Sequence, residues 1–584
     1  MTAITRLRVG DEAFLVAATI ERCPKSMMIR ELLQNALEAA ASARQGDRRV
    51  EFSAVTVGGA RKLAIWNTGR GLTADELYRM CDIAASINKE TGLDANFGMG
   101  AKVASLPSNR HGLRYRSCRD GVVHEVMLGK RDGVYGRVHQ PGPGGRPTEI
   151  VEATAAARAE GRETGQDWTE VVLLGNRADQ DTVADPYDGQ PRSPANWLVD
   201  AIASRFFRFP GGIQVSLLPG LRPGQAAPRV LRGTERRLAA MEHYERVAAP
   251  GGIAIHYAYD PLDGENAAQT PGRPARTTEG MAAIVFRGEI YNLLRGPLWR
   301  REAPSFGIAT GARHVSVVIE LPANYPVQLE GYREFLRYRA DMQRQLRLLD
   351  FAALAAEHLP GWLKEILDRN SPSASLVVDA RFAMEELLRQ LGVTRQRSAR
   401  MVPVEAGPAA PEPVAADATP PPAKTEDAPP APPPARTEDD PAAPPRVVFE
   451  TAPEIFLLRD PAEIADGGLT HRAACYYPES HQLHVNMAYP AVTTLARMLS
   501  GAEDGDAIAP AALMVAERFT VMRVGRALVH ALAKRGHPRE WNEAQLRTLF
   551  SRECLTLAAD DVHAGLTDAQ AAYREAVAVP GGDA

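Results

Sequence analysis

Hydrophobic and polar positions first fall into a helical period at residues 28–41, MIRELLQNALEAAA, where Ile29, Leu32, Leu33, Ala36, Leu37 and Ala40 fill one side. Glu31, Asn35 and Glu38 share the other side, because offsets of four and seven return to nearly one direction in an α-helix. Such a polar stripe is usually just a solvated face, so the trio alone assigns no chemistry. The period then shortens. RRVEFSAVTV (48–57) and KLAIW (62–66) have the apolar and β-branched content of paired strands turning at Gly58-Gly59. The second strand runs into Asn67, Thr68, Gly69, Arg70, Gly71 and Leu72. Two glycines there permit a tight turn and a close approach to a ligand, or simply end a strand.

Thr73 and Glu76 form a capping-box pair, which predicts a helix from Thr73 towards Ser86. The polar stretch 87–97, INKETGLDANF, reads as a mobile lid. Gly98 and Gly100 then precede Lys102 and a small-residue segment able to open a helix. Unobstructed amides, a helix N-terminus and a lysine together suit a polyphosphate. The Walker and Rossmann glycine patterns are both absent, and GxGxK alone is more often a chance loop.

Strand patterns follow at 113–117, 122–128 and 134–139, a helical one at 152–163, and another strand in DWTEVVLLG, which opens with Thr169. Farther on, a helix is expected over 196–209 and a strand over 213–218. GIAIHYAY, MAAIVFRGEIYNLL and RHVSVVIELP alternate like strands, and a long helix is expected over roughly Gln328 to Leu349.

With 584 residues the chain is long enough for about three to four domains. Residues 401–446 are Pro- and Ala-rich with scattered acids, which predicts a disordered, partly polyproline linker beyond which the chain moves semi-independently. The remainder, 447–584, begins with the strand-like EIFLL, RAACYY and QLHVNM. It continues as helices around 491–500, 508–535 and 540–560, with no chemistry legible in it. His471, His481 and His484 do not form a convincing metal set.

A formal charge of −4 gives no global basic footprint, which argues against indiscriminate nucleic-acid binding. The arginines between Arg295 and Arg347 read first as a solvated helix face. Five scattered cysteines suggest neither a disulfide framework nor a zinc site, and a reducing cytoplasm suits them. Neither a signal peptide nor an apolar run of about 18 residues occurs, so no membrane role is expected.

Taken in order, REL-x-x-NALEA, NTGRGL, FGMGAK and WTEVVL resemble the motifs of the GHKL superfamily over roughly the first 175 residues. These Bergerat-fold ATPases include gyrase B subunits, MutL, MORC proteins, heat-shock clamp chaperones and sensor histidine kinases. The FGMGAK form is nearest to MORC proteins and the chaperones. The resemblance implies an α+β multidomain protein with four parts. Residues 1–235 would form a Bergerat α/β sandwich, a mixed sheet with helices on one face, and 236–400 a transducer-like α/β domain with long helices. The linker 401–446 and a mostly helical α+β domain at 447–584 would complete it.

Position by position, the resemblance makes Glu31 the general base that activates water and Asn35 the Mg²⁺ ligand. Glu38 takes the motif's last acidic position, where a structural role is as well supported as a chemical one. Gly69 and Gly71 match the loop at the base and ribose, and Gly98, Gly100 and Lys102 the loop around the phosphates. Thr169 matches a threonine at the adenine end, with an ordinary strand residue an equal alternative. One departure is Asn67, where the family has an Asp that accepts from the adenine amine. An amide oxygen accepts more weakly, and a flipped amide would suit guanine.

The function so implied is an Mg²⁺-dependent, ATP-hydrolysing conformational switch that dimerises on binding ATP and acts on a protein client or on DNA. The alternative is a nucleotide-gated scaffold with negligible hydrolysis. A histidine kinase fits less well, since that branch usually lacks the base at Glu31. Relatives of the MutL and MORC type supply a second-domain lysine to the terminal phosphate. No lysine occurs between Lys130 and Lys364, so that contact is either absent or made by an arginine, for which Arg313 is a weak candidate.

Overall fold

The computed structural model describes residues 10–83, 100–142, 145–222, 224–261, 279–369, 375–394, 450–503 and 506–578. The expected lid (87–97), Gly98 and the expected linker (401–446) lie outside the described residues. The chain divides into two compact units, one built from 1–248, 252–295 and 314–350, the other from 249–251, 296–313 and 351–584. Both mix helices with sheets, as an α+β multidomain chain should.

The first unit opens with α1 (Glu12–Glu21) and α2 (Met27–Ala41), followed by the hairpin β1 (Arg49–Val57) and β2 (Ala60–Thr68). The turn between them has positive φ at Gly58 and Gly59, as expected. Next come α3 (Ala74–Met80), α4 (Gly100–Ser105), β3 (Gly112–Arg119), β4 (Val122–Arg131) and β5 (Val134–Arg137). The short β6 (Gln140–Pro141), β7 (Pro147–Thr148) and β8 (Ile150–Glu152) lead through α5 (Thr154–Ala159) to β9 (Trp168–Gly175). Beyond α6 (Trp197–Ala203) lie β10 (Gln214–Leu217), β11 (Arg229–Leu231) and α7 (Thr234–Leu238).

These strands build a nine-stranded sheet in the order β11-β10-β1-β2-β9-β3-β4-β5, with β8 also on β4. β1 and β10 run parallel, and the other pairs are antiparallel, so the sheet is mixed. Strand alternation decides what each face carries. Val50, Phe52, Leu63, Ile65, Leu113, Tyr115, Val171 and Leu173 join the apolar side of α2 in one core. At about 25 cal/mol per Å² of apolar surface removed from water, this shared core is what holds α2 in place. The opposite face is covered in part by α5, against Trp66, Cys118, Val123 and Trp168.

A second sheet of five strands completes this unit: β12 (His243–Ala248), β13 (Ala254–Tyr259), β14 (Met281–Phe286), β15 (Glu289–Arg295) and β16 (Val315–Leu321), in the order β12-β13-β16-β14-β15. The strand pattern of this region holds, but the long helix expected over Gln328 to Leu349 does not form. Short antiparallel strands β17 (Val327–Leu329) and β18 (Leu336–Tyr338) stand there instead. Good helix formers are overruled by tertiary packing: Val327, Leu336, Tyr338, Leu346 and Leu348 are buried, and Tyr338 donates to Asp350 at 2.8 Å.

The second unit contains α8 (Gly296–Glu302), α9 (Ala352–Glu357), α10 (Gly361–Arg369) and α11 (Ser375–Gln390). A three-stranded sheet follows, β19 (Glu454–Leu458), β20 (Ala474–Tyr477) and β21 (Gln482–Asn486), with α12 (Pro461–Asp466) between its first two strands. The chain ends in α13 (Pro490–Ser500), α14 (Pro510–Arg535), α15 (Glu543–Leu549), α16 (Arg552–Asp560) and α17 (Leu566–Ala578). The helix expected over 540–560 is therefore two, because Ser551 leaves the helix and caps the next by accepting from the Cys554 N–H at 3.2 Å. The helices expected at 152–163 and 196–209 are likewise shorter, closing at Ala159 and Ala203.

Met384, Leu388 and Val393, which precede the Pro/Ala-rich stretch, share a core with Ala452, Ile455 and Leu528, which follow it. Glu450 N–H donates to the Val393 carbonyl at 2.9 Å. The two ends of the expected spacer thus join a single core rather than separate domains, a feature composition does not encode. Among the described residues no helix is long and apolar enough to cross a membrane.

Candidate functional site

α2 carries the polar face as its period predicts, but its three residues differ in environment. Glu31 is buried at 5% exposure, Glu38 is half-buried and accepts from Gln34 at 2.9 Å, and Asn35 is exposed. The Glu31 carboxylate is fixed from two sides. Arg30 Nη1 donates to Oε1, and the backbone of Gly100, at the start of α4, closes on the other oxygen. A Cβ on Gly100 would lie 2.6 Å from Glu31 Cδ, so only glycine leaves this carboxylate where it is.

The glycines after β2 also allow close packing, Gly69 against the other end of α2 and Gly71 against β3. Gly69 adopts φ +149°, and a Cβ there would sit 2.9 Å from the carbonyl carbon of Ala39. Gly71, at φ +69°, is pressed against the carbonyl of Cys118 on β3. Immediately afterwards Thr73 and Glu76 make the predicted reciprocal cap, at 3.3 Å and 3.0 Å, and α3 begins. The turn is therefore set by helix chemistry on one side and close packing on the other.

Asn67, next to last in β2, lies on the helix-facing side, directly across from Thr169 on β9, which stands across from Ser117 on β3. The three polar side chains thus occupy neighbouring strands in one row. Ser117 Oγ lies 2.9 Å from Thr169 Oγ1 and accepts from the Leu72 N–H at 2.8 Å, tying the row to the glycine turn. Asn67 Nδ2 donates to the Thr68 carbonyl at 2.9 Å. A flipped amide would set oxygen against oxygen, so this bond assigns the amide nitrogen to Thr68 and leaves Oδ1 as the remaining acceptor.

Lys102 is buried, and its ammonium donates to the carbonyls of Met80 and Asp82 at the end of α3. Burial pushes its pKa down to about 8. Two of its three donors thereby join α4 to α3. Arg313 pairs with Asp466 at 3.2 Å within the second unit.

No protein-family model matches this chain, and no curated protein matches it. Its chemistry has to be read from these side chains.

The arrangement also contains residues that sequence reasoning passed over. Arg30 is buried at 4% exposure and turns away from Glu31 to give Nε to Glu289 Oε2 at 2.7 Å and Nη2 to Oε1. Arg205 shares Glu289 at 3.2 Å, while its guanidinium stacks on Tyr291 at 4.2 Å. Burial raises the Glu289 pKa, but the hydrogen bond and charge of Arg30, with Arg205 and Arg333, hold its carboxyl below the usual range. Burial likewise opposes the Arg30 charge, which Glu289 and Glu31 more than restore. The alternation of Leu113, Tyr115 and Ser117 was the available signal for Ser117. Nothing local signals Glu289.

Proposed function

We propose that this protein is an Mg²⁺-dependent ATPase of the GHKL type, with a Bergerat-like N-terminal fold that works as an ATP-gated, dimerising switch. The observation that carries the reading is the meeting of Gly100 with the Glu31 carboxylate, which joins two motifs far apart in sequence. Beside it, Gly69 closes on the far end of the same helix and Gly71 on β3.

In this reading Glu31 takes a proton from water as the water oxygen attacks the terminal phosphorus, and the bond to the bridging oxygen of ADP breaks. Asn35 lies one turn beyond Glu31, exposed, and offers an amide oxygen. One such ligand suits Mg²⁺, which keeps waters and takes its other oxygens from phosphates. Asn67 Oδ1 accepts from the 6-amino group of adenine, where guanine carries a carbonyl, and Ser117 and Thr169 complete that end. Lys102 belongs to the phosphate side. Five free cysteines suit a reducing, cytoplasmic setting. A protein client or DNA is the object of the motion.

A second reading, a nucleotide-gated scaffold with negligible hydrolysis, is favoured by the pairing of Glu31 with Arg30, because that contact occupies one of the two carboxylate oxygens. Titration with a fluorescent ATP analogue, with and without Mg²⁺ and against GTP, tests the nucleotide site. Cross-linking with a non-hydrolysable analogue tests the dimer. Mg²⁺-dependent binding that ATP displaces better than GTP, with a rise in cross-linked dimer, supports the proposal. Absence of binding at millimolar ATP contradicts it.

A further inference from the structure

The buried charges around Glu31 form an alternating row, Glu31, Arg30, Glu289 and Arg205, that runs from α2 to the second sheet. Two carboxylates and two guanidiniums balance, which is what allows so many charges to be buried together. The connections are unequal. Glu289 takes the forked Nε and Nη2 edge of Arg30, and Glu31 is left with Nη1. A bidentate guanidinium–carboxylate pair is the stronger and more directional of the two arrangements.

Glu289 is itself firmly placed. It opens β15 beside the Gly288 turn, forms a bridge with Phe206, and is followed by Ile290, whose N–H donates to the Arg205 carbonyl at 2.7 Å. Arg205 completes the support from its far side and donates to the Arg333 carbonyl. The carboxylate that orients Arg30 therefore stands on a rigid strand, as a supporting group must if it is to fix a reacting one.

We propose that Glu289 is a positioning residue for Glu31: by holding the forked edge of Arg30, it keeps that arginine from clasping both oxygens of the base. The inference rests on the reading of Glu31 as the hydrolytic base. Without the charge of Glu289, Arg30 turns its fork to Glu31, its remaining anionic neighbour in the row. Glu31 then loses the free lone pair it needs for the proton of water. The described ionisable groups facing Glu31 are Arg30 beside it and Cys23, whose thiol burial and Glu31 together push up. Those facing Glu289 are Arg30, Arg205, Arg333 and Tyr291.

The test compares nucleotide affinity and phosphate release in the full-length wild type, Glu289→Gln and Glu289→Asp. The neutral, isosteric Gln variant is expected to bind nucleotide within about twofold of wild type while kcat falls roughly tenfold or more, since general-base catalysis supplies factors of that size. Asp restores the charge on a shorter arm and is expected to recover most of the lost kcat. An unchanged or raised kcat in Glu289→Gln overturns the proposal, as does an Asp variant no better than Gln. If Gln prevents folding, Glu289→Ala takes its place: a kcat lowered about tenfold or more at unchanged affinity supports the role, and wild-type kcat overturns it. A wild type that binds nucleotide and releases no phosphate removes the hydrolytic reading of Glu31 and this inference with it. A wild type that turns over beside an indifferent Glu289→Gln removes only this one.

Discussion

Gly100 and Glu31 touch through the space a side chain would occupy: a Cβ on Gly100 would lie 2.6 Å from the Glu31 carboxyl carbon. The carboxylate cannot simply swing aside, because Arg30 holds its other oxygen. This contact binds the start of α4 to the middle of α2 and sets the direction in which Glu31 faces.

Gly100→Ala is expected to cost about 1–3 kcal/mol, the usual range for an overpacked buried site, and to abolish phosphate release. Gly136→Ala is the control. A Cβ there meets nothing within 4 Å, and the substitution should stay within about 0.5 kcal/mol of wild type. Urea denaturation measures both. Equal midpoints for the two variants would contradict the close approach.

Asn67 gives a prediction with two parts. In Asn67→Asp a carboxylate oxygen replaces the Nδ2 that now donates to the Thr68 carbonyl at 2.9 Å. Stability should fall by about 1–3 kcal/mol, as when a buried acceptor loses its donor. On the proposed reading the acceptor at Oδ1 is kept, so preference for ATP over GTP should persist. Thermal unfolding and competition binding check the two parts, and a wild type that prefers GTP but switches to ATP in Asn67→Asp would refute the assigned amide orientation.

His484 supplies a pH dependence that does not involve the nucleotide site. Burial, with the charge of Arg552, pushes its imidazole down to about 3, and it sits between Phe456 and Tyr477. Above the unfolded value of about 6.5 both states are neutral and the stability is fully present. Below it the unfolded chain takes up a proton that the native state refuses, so stability falls continuously towards pH 3. Between pH 7 and 5 the loss should be about 2 kcal/mol. Burial raises Glu479 and Glu517 in the same unit, and these act in the opposite sense, so the contrast with His484→Gln isolates the histidine. Denaturant unfolding should show a shallower pH slope for the variant. Equal slopes would refute the assignment.

The features legible in the sequence are those decided locally. The α2 stripe follows from helical geometry, the Thr73 cap from two residues three apart, and the Gly58-Gly59 hairpin from backbone freedom. Where distant packing decides, sequence reasoning fails. Gln328 to Leu349 has a helical composition, yet its buried residues alternate around Leu336 and Tyr338 as a strand requires. Arg30 is visible beside Glu31, but its principal partner lies 259 positions away. The Pro/Ala-rich stretch reads as a spacer, because composition reports stiffness and says nothing of the Val393–Glu450 bond at its ends.

The central claim, that Glu31 is the base of an ATP-hydrolysing site, is tested most directly by phosphate release from Mg²⁺-ATP with wild type and Glu31→Ala side by side. Slow release by the wild type, abolished in Glu31→Ala while ATP still binds, is the predicted result. ATP bound tightly by wild type with no release, or release that persists in Glu31→Ala, would contradict it.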